Sequence, residues 1–114
     1  IDKIGMKIRK KLKILAKKYN LNIIFFGLPA LTRFNLKGFD EKLLKTFLSQ
    51  EFLKQGILGS NVIYVSVTHT QKILNKYYKV IEVIFKKLSK FKNNSNLLKN
   101  IETDICLDTI PRLN

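Results

Sequence analysis

The side chains able to do chemistry are few in this sequence, and they do not gather into a set. One histidine, His69, and one cysteine, Cys106, cannot build a metal site between them, and no metal is expected. There is no glycine-rich phosphate loop and no cysteine or histidine spacing that would hold zinc. Asp40 and Glu41 stand together at the head of an apolar pattern, where carboxylates favour a helix dipole. Phe25, Phe26 and Phe34 could stack bases as the aromatics of an RNA-binding sheet do. Strands that cover helices need such residues, so all three are read as core, and Tyr77 and Tyr78 as the buried shoulder of a helix. The tightest polar order is Ser66-Val-Thr-His-Thr70 at the end of an apolar run, which would deliver side chains to an edge where a second domain could meet them. On its own, His69 reads as a capping or packing residue.

The elements that must position these residues follow from periodicity. Ile4, Ile8, Leu12, Leu15 and Tyr19 repeat at three and four residues between lysines, which predicts a helix with one apolar stripe. Asn22-Ile-Ile-Phe-Phe-Gly27 and Leu31-Thr-Arg-Phe-Asn-Leu36 predict two strands joined around Gly27-Leu28-Pro29-Ala30. Asp40 is placed to cap a helix with Leu43, Leu44, Phe47, Leu48 and Phe52 on its apolar face, and Gly56 to end it. Val62-Ile-Tyr-Val-Ser-Val67 predicts a third strand. A long helix is expected from Thr68 or Thr70, with Thr68 and Gln71 spaced as a capping box and Leu74, Tyr77, Tyr78, Ile81, Ile84, Phe85 and Leu88 facing inward. Asn93-Asn-Ser-Asn96 predicts a break, dividing the chain into a domain over 1–92 and a separate tail over 93–114. The order suggests an α/β (α+β) fold with a small, at least partly antiparallel three-stranded sheet and helices on one side.

Composition limits the function classes. With 114 residues the chain has room for one compact domain, too little for the two-domain architecture of most cofactor enzymes. Its apolar content of 46% argues against disorder, and a single cysteine argues against a disulfide scaffold. Its longest apolar runs fall far below the roughly 20 residues of a membrane helix. The formal charge of +14 invites a polyanion, but 19 of the 22 basic residues are lysine, whereas phosphate- and base-reading surfaces favour the arginine fork. Lysine, isoleucine, asparagine and phenylalanine are enriched together, as codons rich in A and T would produce. The charge is therefore read as solvated surface. It is also uneven: 20 basic against 5 acidic residues give +15 up to Lys92, and 2 against 3 give −1 beyond it. Ile1 stands where a reading frame would begin with Met, and an amphipathic pattern follows at once, so the sequence is expected to be a piece of a longer chain.

Gln55-Gly-Ile-Leu58, then a strand, then Ser66-Val-Thr-His-Thr70, following an earlier strand with Gly27, Pro29 and Phe34, resembles the C-terminal small domain of class III pyridoxal-phosphate enzymes over about Ile1 to Phe91. The glutamate-1-semialdehyde aminotransferase (aminomutase) group is the most similar branch. The resemblance implies a fold-type I parent in which a lysine of the large domain forms the Schiff base with pyridoxal 5'-phosphate and an aspartate pairs with its ring nitrogen, both outside this sequence. It implies no catalytic or cofactor-binding residue here, so the fragment alone is expected to be inactive and not to hold the cofactor. It implies Asn61, Ser66 and His69 as substrate-cleft candidates, Asn61 standing where that group carries a glutamate. The implied partners are the parent's large domain, a second copy in a cytoplasmic homodimer, and a small-molecule amino donor and acceptor, with no membrane. Pro111-Arg-Leu-Asn114 is similar to the ending of a branch acting in surface-polysaccharide biosynthesis. The alternative is a small basic domain binding nucleic acid through the first helix and the strand aromatics.

Overall fold

The computed structural model describes residues 2–66 and 70–102. The elements run α1 (Asp2–Lys18), β1 (Ile23–Phe26), β2 (Leu31–Leu36), α2 (Glu41–Lys54), β3 (Val62–Tyr64), α3 (Gln71–Leu88) and α4 (Asn94–Lys99). The strands form one antiparallel sheet in the order β1-β2-β3, with Phe25 opposite Phe34 and Thr32 opposite Ile63. The fold is thus α+β, as the sequence predicts.

Strand alternation divides the sheet's side chains into two sets. Thr32, Phe34, Leu36 and Ile63 are buried beneath the helices, joined by the half-buried Ile23 and Phe25. α1 and α2 lie on this inner face, and α3 packs on both of them, its Phe85 meeting Phe34 edge-on at 6.3 Å between ring centroids. Gly5 makes the close approach of α1 to the β1–β2 turn possible, since a Cβ there would run into the Pro29 carbonyl. Arg9 then fastens the two: its Nε donates to Thr32 Oγ1 at 2.8 Å and its Nη2 to the Gly27 carbonyl at 2.7 Å.

The caps follow sequence logic. Asp40 Oδ1 accepts from the Lys42 and Leu43 N–H groups, and Thr70 Oγ1 from the Ile73 N–H. The long helix is therefore capped from Thr70; Thr68, the other expected cap, lies outside the described residues. At the end of α2, Gly56 takes φ +73°, the Ile57 N–H donates to the Phe52 carbonyl, and the Gly56 N–H to the Leu53 carbonyl. This is a Schellman turn, which needs the left-handed conformation glycine adopts without strain.

Three expectations are corrected. Phe26 is not core: neighbours in a strand point to opposite faces, and because Phe25 faces in, Phe26 faces out with 38% exposure. The third strand is shorter than predicted, Val62–Tyr64, although the Val65 N–H still reaches the Ala30 carbonyl at 3.0 Å. Asn93-Asn-Ser-Asn96 is not a simple break, because Asn93 caps α4 and residues 94–102 pack back on the body. Leu97 is fully buried in the core. Gln50 receives the Glu102 N–H on Oε1 at 2.6 Å and donates from Nε2 to the Asn100 carbonyl at 3.0 Å. Polarity at 93–96 hid this, because asparagine both ends helices and begins them. Cys106 and Pro111-Arg-Leu-Asn114 lie outside the described residues.

Candidate functional site

Asn61 enters β3 immediately after the turn from α2, and its residue is 1% exposed. Its Nδ2 donates to the Phe34 carbonyl at 3.0 Å and to Glu41 Oε2 at 2.7 Å, and its own carbonyl accepts the Phe34 N–H at 2.9 Å. Glu41 Oε2 also meets Arg33 Nε at 3.2 Å, and the Arg33 guanidinium lies over the Phe26 ring at 4.7 Å. Asn61 thus ties β2, β3 and the first turn of α2 into one joint. The amide orientation is dictated by its neighbours, since exchanging N and O would aim a carbonyl at two acceptors. Asn61 Oδ1 is buried without a partner among the described residues. The joint borders a polar hollow of about 410 Å³ that Arg33, Asp40, Lys42 and Lys45 share.

Ser66 stands at the other end of the strand, half-buried beyond Val65. The ladder bonds of Asn61 to Phe34 and of Val65 to Ala30 hold the chain between them extended, which puts the backbone of Ser66 roughly 13–17 Å from that of Asn61, so the two do not meet in one site. His69 lies outside the described residues.

A second hollow, also about 410 Å³, runs between the 57–64 segment and the first half of α3. It is apolar, and Tyr77 lies in it with its ring stacked on Phe52 at 5.5 Å and 14°. The Tyr77 hydroxyl has no partner among the described residues, and burial, with a smaller contribution from Tyr78, pushes its phenol well above the ordinary tyrosine range. Next to the groove the outer sheet face exposes Ile24, Phe26, Leu31, Val62 and Tyr64 around Arg33. Sequence periodicity missed both features. A helical pattern counts tyrosine as apolar and ignores its hydroxyl, and Leu31 and Val62 look like core until the register shows which face they occupy.

In comparisons with known proteins, no family model, no curated protein and no solved structure matches this chain.

Pyridoxal phosphate needs a lysine for its aldehyde and a carboxylate for its ring nitrogen in a shielded hollow. Among the described residues two hollows hold both types: in the polar one the carboxylates are engaged, Asp40 capping α2 and Glu41 held by Arg33 and Asn61, and in the other, along α1, the carboxylate is Asp2, exposed in the first turn of the helix and not shielded. These residues do not fit the cofactor, and no chemical step is assigned to them. Nor do the described residues contain a group of histidine, cysteine and acidic side chains able to hold a metal.

Proposed function

We propose that this chain is the C-terminal small domain of a class III pyridoxal-phosphate aminotransferase or aminomutase, homodimeric and cytoplasmic in its intact form, with cofactor chemistry carried by a large domain of the same parent. The observation that supports this most is the placement of the resembling motif at junctions. Gly56 closes α2 in a Schellman turn, Ser66 follows β3, and Thr70 caps α3. The apolar outer sheet face adds support, because a domain meeting this one through its sheet would cover it. Among the described residues no helix is long and apolar enough to cross a membrane. The domain's part would be to close the substrate cleft and stabilise the dimer, with Ser66 and His69 nearest to substrate.

The test is to express the intact parent, record the visible absorbance of bound cofactor and titrate amino donors. A band that responds to a donor is expected; an intact parent with no cofactor band overturns the proposal.

One observation favours the second reading, nucleic-acid binding. Phe26 and Tyr64 are exposed on the outer face with Arg33, the arrangement a base-stacking sheet would need. Binding of the 114-residue chain to single-stranded RNA with affinity falling steeply in salt would support it.

A further inference from the structure

Three features meet at one edge of the sheet. β3 pairs with β2 alone among the described residues, so its other edge carries no strand. The bonds from the Phe34 N–H to the Asn61 carbonyl and from the Val65 N–H to the Ala30 carbonyl fix the alternation of the ladder. Ile63 therefore faces β2 with its backbone, while the backbones of Val62 and Tyr64 turn to the outer edge. The Val62 N–H is taken by Ser60 Oγ at 3.2 Å. Beside this edge lies the apolar groove, with Ile8, Ile63, Leu74 and Tyr77 at its floor and Leu58 and Ile73 exposed at its rim. The Tyr77 hydroxyl is the third feature: a buried donor with no acceptor among the described residues, a condition that costs stability unless something supplies one.

Charge narrows the occupant. Lys76 is the one charged residue among those lining the groove, and Lys72 and Lys79 continue the cationic strip along α3 without an acidic neighbour in it. We propose that the outer edge of β3 and the adjoining groove bind an extended apolar polypeptide segment flanked by carboxylates, which joins the sheet as a fourth strand. Its alternate side chains enter the groove, a backbone carbonyl accepts from Tyr77, and its acidic flanks meet the α3 lysines. A small apolar ligand would leave the strand edge and the lysines unanswered. A second copy of the chain would bring two such lysine strips and two charges of +14 together. The inference does not depend on the parent enzyme.

The test is an NMR titration of the isotope-labelled chain with an acetylated, amidated octapeptide, Val-Ile-Val-Thr between two pairs of glutamates. Amide shifts are expected at residues 57–64 and 72–77. Methylating alternate amide nitrogens of the peptide, or replacing Tyr77→Phe in the chain, is expected to weaken binding about tenfold and about fivefold respectively. Tyr77→Phe keeps the ring stacked on Phe52 and removes the unpaired donor, so a melting temperature equal to or above that of the unaltered chain shows that weaker binding is not a loss of fold. Shifts confined to other surfaces, or equal binding of the methylated peptide, would overturn the inference. So would pairing of β3 with its own copy without peptide, or tighter binding of single-stranded RNA at the same amides.

Discussion

The two faces of the sheet are built from nearly the same residue types and meet opposite fates. Inward, Phe34, Leu36 and Ile63 are covered by helices; outward, Ile24, Phe26, Leu31, Val62 and Tyr64 are not. An antiparallel sheet with one solvated face ordinarily alternates apolar and polar along each strand. Here the alternation survives mainly at Arg33 and Asn35 in β2. The inner face carries the stability of the domain, and the outer face has the composition of an interface.

Substitutions can break or sharpen that contrast. The largest effect is expected from Phe34→Ala, which empties the centre of the inner face and should cost about 3–5 kcal/mol in urea unfolding. A cost as small as that of an outer-face change would erase the distinction. Next comes Glu51, which pins the helix layer over the inner face. Its side chain is 4% exposed, and its carboxylate receives Lys87 at 2.5 Å and Lys54 at 2.9 Å. Burial raises its pKa, but the hydrogen bonds from Gln50, Lys87 and Lys54 outweigh burial and hold it at about 2. Because the folded value lies below the ordinary 4.5, the stabilisation is complete above pH 4.5 and is lost as pH falls towards 2. Glu51→Gln should cost about 1–3 kcal/mol at neutral pH and flatten that acid limb. Gly56→Ala should cost about 1 kcal/mol through backbone strain alone, because nothing lies within 4 Å of the added Cβ. The smallest effect is expected from Phe26→Thr and Tyr64→Thr, each within about 0.5 kcal/mol in the isolated chain. A larger loss from either would mean that the outer face is already packed.

Much of this architecture was legible in the sequence. The helices α1, α2 and α3 stand out because polar residues, mostly lysine in α1, fill the faces their apolar stripes leave, and Asp40, Gly56 and Thr70 mark ends of α2 and α3. Phe26 was misplaced because a run of four β-type residues does not say which face each takes; that needs a partner strand and a register. The docking of residues 94–102 was hidden because Gln50 and Thr46 look like solvent positions on α2 and become buried in the folded domain. Of the candidate site, Asn61 was singled out for a position implied by resemblance, whereas its hydrogen bonds to Phe34 and Glu41 depend on residues 20 and more positions away.

The attachment of residues 94–102 has two kinds of fastener. At its start the bonds are between neutral groups: the Lys92 N–H to Asn96 Oδ1, the Asn96 N–H to Asn93 Oδ1, the Asp40 N–H to Asn94 Oδ1. At its far end an ionic bond, Lys54 to Glu102 at 2.6 Å on the surface, joins the neutral bonds of Gln50 to the Glu102 N–H and the Asn100 carbonyl. Neutral amides are indifferent to ionic strength, whereas an exposed ion pair weakens as salt screens it. In concentrated salt the Glu102 carboxylate should therefore let go of Lys54, while Gln50 and the buried Leu97 keep the backbone of the arm docked, so that salt frees a side chain and not the segment.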